Sequence, residues 1–590
     1  MTSYTAPLRD MRFALYELAD FATVTALPGC GEVTQDLVDP ILQAGGVFCA
    51  EVLAPLNRSG DEEGCHFESG VVRTPAGFRA AYAAFCRDGW PALHADPAYG
   101  GQGLPKTVSL MFEEMICSAN LSFGMYPGLS HGAYEALRAH GSADLQQLYL
   151  PKLVSGEWSG TMCLTEPHCG TDLGLLRTRA EPAGDGRFLV TGTKIFISAG
   201  EHDLTGNILH LVLARLPDAP AGVRGISLFL VPKFVPAEDG RPGVRNSVVA
   251  GAIEHKMGIK ASSTCVMNFD GAQGWMVGQP HRGLAAMFTM MNAARLSVGI
   301  QGLGLAEVSY QNAVAYARDR LQGRALNGVA RPDLPADPIL VHPDVRRMLL
   351  TMRAGVEGCR ALGVRVAVAQ DIATSHADAD VRAEADDYVA LMTPIVKAYF
   401  TDMGWDSTVL GMQVLGGHGY IRDHGMEQFV RDARIAQIYE GTNGIQALDL
   451  VGRKMSAHAG RYLRRFFHPV AAYIAAKQGD AAMAEFVDPL SKAFIRLQQA
   501  TAALAAKGIA DPFEAGAVAT DYLRLFALVA LAQLWAEAAE ISLGKSDDFY
   551  RAKLATARFF VAKILPQSSS LFSTIMAGGA SLKAFEDALF

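Results

Sequence analysis

Two glycine-punctuated polar segments carry residue types from which a reaction could be built. MCLTEPHCGTDLG, 162–174, lies in apolar surroundings. Pro167 and Gly170 force a turn there, and Thr165, Thr171 and the turn's backbone amides can donate to a polar ring or a phosphate. The same residues would also make a capped loop at a strand end. QIYEGTNGIQALDL, 437–450, sets Glu440 after the apolar Ile438 and Tyr439. Asn443 followed by Gln446 resembles a capping box and opens a helix there, with Ile445, Leu448 and Leu450 on the core side. A carboxylate in that place either serves the helix dipole or, once water is removed, acts as a general base.

Several other chemistries drop out. GLGLAE, 302–307, begins as G-x-G but lacks a third glycine, follows no strand and lies in a helical run, so it does not read as a dinucleotide site. GGQG and GGHG precede no Gly-Lys-Ser/Thr, and neither H-E-x-x-H nor G-x-S-x-G occurs. The nine cysteines are scattered without a C-x-x-C pair, which predicts reduced thiols and no bound metal. His168 and Cys169, near Cys163 in the chain, read as loop residues.

The elements that must position these segments follow from periodicity. Apolar residues three and four apart predict helices over 38–55, 76–90 and 107–140. Between about 160 and 275 the texture becomes β-branched and partly alternating, with strands at 187–198, 207–216 and 225–234. Long helices return at 283–323, 341–375 and 380–415, and an Ala-rich helical block runs from about 462 to 590. The order is α, β, α, then additional α.

With 590 residues, half of them hydrophobic, 19% charged and a net charge of -8, the chain is expected to fold into several globular domains. A mildly acidic balance offers no attraction to nucleic acid or anionic lipid. The N-terminus lacks a basic segment followed by an apolar core, and LFALVALAQLW, 525–535, is about half a membrane span. A cytoplasmic protein without membrane insertion is expected.

Six pieces, CLTEPHCGTD (163–172), GTKIFIS (192–198), HKMGIKASST (255–264), YARDR (316–320), QVLGGHGY (413–420) and RDARIAQIYEGT (431–442), resemble the acyl-CoA dehydrogenase family in order and spacing. The resemblance spans roughly residues 40–455. The opening YTAPLRDMRFAL and the extra C-terminal block resemble the long bacterial subgroup that includes 3-methylmercaptopropionyl-CoA and broad-range fatty acyl-CoA dehydrogenases. It implies an α+β multidomain fold: an N-terminal arm (1–37), an N-terminal helical domain (38–159), a middle β-barrel (160–280), a four-helix bundle (281–455) and an additional helical domain (456–590).

The resemblance also implies bound FAD. Met162, Leu164, Thr165, Gly170 and Thr171 would line the flavin and pyrophosphate, with Phe196 and Ser198 against the flavin. Arg320 and Gln322 would reach the pyrophosphate of a neighbouring subunit's FAD, and Gln413, Gly416 and Gly417 its adenosine half, which implies a homodimer. Thr442 would close over the diphosphate. Thr171, Met257, Lys260 and Gly441 would meet the acyl-CoA. Glu440 would take the α-proton and the flavin N5 the β-hydride, giving a trans-2-enoyl-CoA, with electrons passing to an electron-transferring flavoprotein. Phe196 stands where a tryptophan is frequent, Lys260 where arginine is commoner, Gly444 where a polar side chain is frequent, and LQGR after Arg320 is one residue short. A flavin oxidase or monooxygenase on this scaffold, such as a nitroalkane oxidase with an aspartate base, is disfavoured by Glu440. A DNA-associated member without dehydrogenase activity is disfavoured by the near-neutral C-terminal block.

Overall fold

Helix-period segments at both ends and a β-branched middle give the computed structural model, which describes residues 2–590, its order of elements. After short helical segments in the arm come four longer helices: α1 (Gln35–Glu63), α2 (Phe78–Arg87), α3 (Lys106–His140) and α4 (Ala143–Val154). The strands are β1 (Trp158–Cys163), β2 (Arg179–Gly184), β3 (Arg187–Ser198), β4 (Asn207–Arg215), β5 (Ile226–Pro232), β6 (Val248–Ile253) and β7 (Thr264–Val277). Then come α5 (Gly283–Asp319), α6 (Pro343–Ser375), α7 (Ala379–Val414), α8 (Met426–Arg434) and α9 (Asn443–Asp449). The last block holds α10 (Arg461–Lys477), α11 (Ala484–Ala510), α12 (Ala519–Ser542) and α13 (Asp548–Phe559).

The chain forms two compact units, one of Val47–Leu104 and Ala119–Ser297, the other of Met1–Gly46, Pro105–Ser118 and Val298–Phe590. In the first, the sheet order is β6-β7-β3-β2-β4-β1, and β5 pairs with both β7 and β4, which closes a barrel. Most pairings are antiparallel; β1 runs parallel to β4, with Met162 opposite Leu211. The run ILHLVLA in β4 is apolar except for His210, which is buried with its Nδ1 2.9 Å from Thr161 Oγ1, because the strand is buried on both faces. Leu209, Leu211 and Leu213 pack with helix residues such as Leu137, Tyr149 and Met287, while Val212 and Ala214 face the barrel interior with Val190 and Phe269. This alternation makes a strand of period two serve two cores.

In the second unit, α5, α6 and α7 form the bundle, with α12 packed against α6 and α7. Glycine decides where α5 and α7 cross. A Cβ on Gly302 would lie 2.6 Å from the Phe400 oxygen, and one on Gly404 2.5 Å from the Gly302 oxygen. The G-x-G of GLGLAE is therefore a helix-packing device. Helix α5 ends at Asp319, short of the expected 323, because the chain turns to pair with the 337–339 segment: Gln322 N donates to Asp337 O (3.0 Å) and Ile339 N to Arg320 O (2.8 Å). Among the described residues, three helices, Gln35–Glu63, Gly283–Asp319 and Ala519–Ser542, are long and apolar enough by length and composition to cross a membrane. The half-span at 525–535 is thus the middle of a longer apolar helix, and α12 is mostly buried inside the protein.

Candidate active site

The loop after β1 is fastened to the barrel by one buried carboxylate. Glu166 accepts from Arg177 N (2.7 Å), Thr178 N (3.0 Å), Thr178 Oγ1 (2.7 Å) and Lys194 Nζ (2.8 Å). Lys194, fully buried on β3, also donates to Leu164 O (3.0 Å), and Ile195 N donates to Thr165 O (2.9 Å). The turn itself closes with Glu166 N on Cys169 O and Cys169 N on Glu166 O. With the acid side chain used inward, Gly170 and Thr171 are left exposed on the outer side, while Met162, Leu164 and Thr165 are half-buried at its root.

Two residues beyond Lys194, β3 is bent at Phe196. Its φ of +59° is left-handed, which costs a bulky residue about 1–3 kcal/mol, and its ring is 59% exposed. Lys194 and Ile197 stay paired with Met267 and Cys265 while the register shifts between them, so the bulge turns the aromatic ring outward. Ser198 pairs with Thr264 beside it. Met257 is exposed and Lys260 half-buried on the segment joining β6 to β7.

Burial raises the Glu166 carboxyl, but Lys194 and the bonds from Thr178 and Arg177 outweigh it and hold it at about 2. A carboxyl depressed in the fold adds stability that is complete above its ordinary value near 4.5 and is lost as the pH falls towards about 2. Glu166→Gln is expected to leave Lys194 buried without its counter-charge, destabilising the protein by about 3–5 kcal/mol at neutral pH. It should also remove this acid-range dependence, read as melting temperature between pH 5 and 3. A variant with the wild-type acid slope would show that other groups carry it.

The second unit carries the rest. Arg320, Gln322, Gln413, Gly416 and Gly417 line one open groove of about 410 Å³ between the end of α5 and the turn after α7. Tyr316 and His418 brace its wall through a 2.9 Å bond between the hydroxyl and Nδ1. Gly416 has φ +59° and ψ −136°, and a Cβ on either Gly416 or Gly417 would meet nothing within 4 Å, so the backbone is bare along the groove.

Glu440 is presented on a turn between α8 and α9. Its φ is +55° and that of Gly441 is +80°, two left-handed residues in succession. Thr442, not Asn443, is the N-cap of α9: its Oγ1 accepts from Ile445 N at 3.3 Å. The box read as Asn443 to Gln446 is therefore not formed: the cap lies one residue earlier, and the residue three on from it is the apolar Ile445. Gln446 turns to the carbonyls instead, its Nε2 donating to Glu440 O (3.0 Å) and Gly441 O (3.3 Å). The Tyr439 hydroxyl donates to Gln301 on α5.

Sequence reasoning missed the support beneath this turn. Lys397, fully buried on α7, donates to Gly441 O (2.8 Å) and Asn443 Oδ1 (2.9 Å), and Asn443 Nδ2 donates to Asp402 Oδ1 (2.7 Å). The available signal was one cation inside the apolar run MTPIVKAYF. Among the described residues, two groups carry donor atoms within 4.8 Å of one another: His94, His131 and Glu135; and Glu166, His168 and Cys169. In the first, His94 Nε2 and His131 Nδ1 lie 2.7 Å apart, a hydrogen bond. In the second, Glu166 is already engaged by Lys194.

Comparison with known proteins decides the family. Family models described as acyl-CoA dehydrogenase N-terminal, middle and C-terminal domains match residues 41–157, 161–272 and 281–455. The chain belongs to the acyl-CoA dehydrogenase family. A fourth model, acetyl-CoA dehydrogenase C-terminal like, matches residues 453–586 of this dehydrogenase. The 3-methylmercaptopropionyl-CoA dehydrogenase of Ruegeria pomeroyi is 44% identical over 98% of this chain and 99% of its own. The broad-specificity linear acyl-CoA dehydrogenase FadE5 of Mycobacterium tuberculosis is 32% identical over the whole of both chains. Among solved structures, an acyl-CoA dehydrogenase complexed with FAD from Bacillus anthracis superposes with a TM-score of 0.75 at 19% identity, covering 92% of this chain and 88% of its own.

The enzyme is thus an FAD-dependent oxidoreductase. Its residues fit that cofactor. An aromatic face held outward by a strained strand suits a flat ring system. A groove with bare glycine backbone and an arginine suits a phosphate-bearing nucleotide.

Proposed function

We propose that this acyl-CoA dehydrogenase removes the elements of hydrogen from the α and β carbons of a saturated acyl-CoA, with Glu440 as the base, yielding the trans-2-enoyl-CoA. The supporting observation is the Glu440 turn: a strained carboxylate-bearing segment whose carbonyls are tied back by Gln446 and Lys397. Such restraint holds a base in one place, and a positioned base contributes about 10²–10⁴ in rate. With both carbonyls turned to the interior, the backbone N–H of Glu440 serves the thioester oxygen, where negative charge grows as the α-proton leaves. Gly441 leaves room for the thioester, and Met257, Lys260 and Thr171 contact the CoA portion.

Bound FAD supplies the two-electron acceptor for the β-hydride, and an electron-transferring flavoprotein is the next carrier. Met162, Leu164, Thr165, Gly170 and Thr171 line the flavin and pyrophosphate, with Phe196 and Ser198 against the flavin and Thr442 at the diphosphate. The groove at Arg320, Gln322, Gln413, Gly416 and Gly417 takes the nucleotide end of a second copy's FAD, so the working unit is a cytoplasmic homodimer.

The test is anaerobic mixing of the holoenzyme with a series of straight-chain acyl-CoAs and 3-methylmercaptopropionyl-CoA. Bleaching of the flavin with formation of the trans-2-enoyl product is expected for at least one of them, and reoxidation should need an electron carrier. Stoichiometric peroxide under air, without a carrier, would instead favour an oxidase. Light scattering on the same preparation should give a two-chain particle; a monomer with full flavin occupancy would overturn the shared groove.

A further inference from the structure

The reading of Glu440 as the base leaves a question of what keeps it in place, and the interior of the second unit supplies an answer. Lys397 is a cation with no exposed surface, on a helix whose neighbouring residues Ile395, Val396, Ala398 and Phe400 are all buried and apolar. Burying an ammonium is costly unless it is well bonded, so its placement needs a reason. Its Nζ is aimed at two neutral oxygens, the Gly441 carbonyl (2.8 Å) and Asn443 Oδ1 (2.9 Å). Asn443 is itself locked by Ala398 O (3.1 Å), Thr401 Oγ1 (3.0 Å) and Asp402 Oδ1 (2.7 Å), and Asp402 Oδ1 also accepts from Gln437 Nε2 (2.7 Å). One side-chain network therefore grips the chain both before and after Glu440. A neutral donor would satisfy the Gly441 carbonyl equally, and Gln446 Nε2 already reaches it at 3.3 Å. What Lys397 adds is a positive charge under the residue next to the base, in a medium where charges are weakly screened.

We infer that Lys397 is a positioning residue for the dehydrogenation: it clamps the left-handed turn through the Gly441 carbonyl and, by its charge, keeps Glu440 in the ionised form that accepts the α-proton. The inference rests on Glu440 being the base. A cation near a carboxylate favours the charged form, so removing it raises the pH at which the base becomes active.

The experiment compares Lys397→Met, Gln446→Leu and Glu440→Gln as FAD-loaded enzymes, following anaerobic flavin reduction by one saturated acyl-CoA from pH 5 to 9. Methionine matches lysine in length and removes the cost of a buried charge, so Lys397→Met should fold and keep its flavin. Its reduction rate should fall at least tenfold, with its dissociation constant for the acyl-CoA unchanged. The midpoint of the acid limb of its rate profile should move up by at least half a pH unit. Gln446→Leu removes a neutral clamp on the same carbonyls and should slow reduction without moving that midpoint. A wild-type midpoint in Lys397→Met, whatever its rate, would overturn the inference. If that variant does not hold flavin, Asn443→Ala, which removes the Asn443 Oδ1 anchor of the ammonium, must lower the rate and move the midpoint by a smaller amount; a wild-type profile would overturn the inference equally. Reduction of Glu440→Gln at the wild-type rate is the one outcome that removes the base assignment, and the role of Lys397 with it.

Discussion

Glu440→Gln is expected to retain flavin, to bind acyl-CoA and to fail to bleach. Glutamine keeps the volume and the hydrogen-bonding reach of glutamate. The turn itself is held by backbone carbonyls, through Gln446 on Glu440 O and Gly441 O and Lys397 on Gly441 O, none of which involves the Glu440 carboxylate. A carboxylate serving only the dipole of the short helix α9 would cost on the order of 1 kcal/mol when neutralised. A base that takes the α-proton behaves differently, because an amide cannot accept that proton. The rate constant for anaerobic flavin reduction should drop by about 10²–10⁴-fold or more. Melting temperature and the absorbance of oxidised flavin should stay close to wild type. Near-wild-type reduction would place the base elsewhere.

Arg360→Met should produce a loss of stability as large as that expected for Glu166→Gln. Arg360 is 1% exposed on α6 and meets Glu114 on α3 (Nε to Oε1, 3.0 Å), Glu307 on α5 and Asp10 in the N-terminal segment. Lys553 on α13 closes the same network onto Asp10 and onto Glu357 (2.7 Å). A single guanidinium thus joins the arm, α3, the bundle helices α5 and α6 and, through Asp10, the C-terminal block. Removing it leaves the buried Glu114 and Glu307 carboxylates without their guanidinium, and breaking such a network costs about 3–5 kcal/mol. Burial outweighs Arg360, and Glu307 and Asp10 add to it, so the Glu114 carboxyl stands at about 7 even in the intact protein. A carboxyl raised in the fold destabilises as the pH climbs from its ordinary value near 4.5 through that raised value. Without Arg360 the rise is larger, so the deficit should be greatest above pH 7 and should shrink as the pH is lowered towards 5. Denaturant unfolding at both pH values checks this. A deficit independent of pH would mean that the lost methylene packing, not the charge, carries the effect.

Much of this protein was legible in its amino-acid order because short-range physics wrote it there. The strand at 187–198 coincides with β3 since β-branched residues between turn-forming loops leave few alternatives. The helices near 107–140, 341–375 and 380–415 match α3, α6 and α7 to within a few residues, since their apolar spacing repeats over many turns. The family resemblance, not local physics, groups Arg320 and Gln322 with Gln413, Gly416 and Gly417, which lie in two motifs about ninety residues apart in the chain. The folded chain brings them to one groove.

Other features depend on partners that no local window contains. Thr442 rather than Asn443 caps α9 because Lys397 and Asp402 on α7 engage the asparagine side chain, and these lie some forty residues away. The partners of Glu166, in turn, come from β3 and the loop before β2, so LTEP alone could not reveal an acid used for fastening. The glycines at 302 and 404 are demanded by backbones of two helices meeting at less than a side chain's width. Arg360 reads in isolation as one more surface cation on a helix. The amino-acid order determines which segments become helix or strand and which motifs exist, since those follow from propensity and periodicity. Where a buried charge finds its counter-charge is decided by tertiary structure alone, since that energy arises only when distant segments exclude water together.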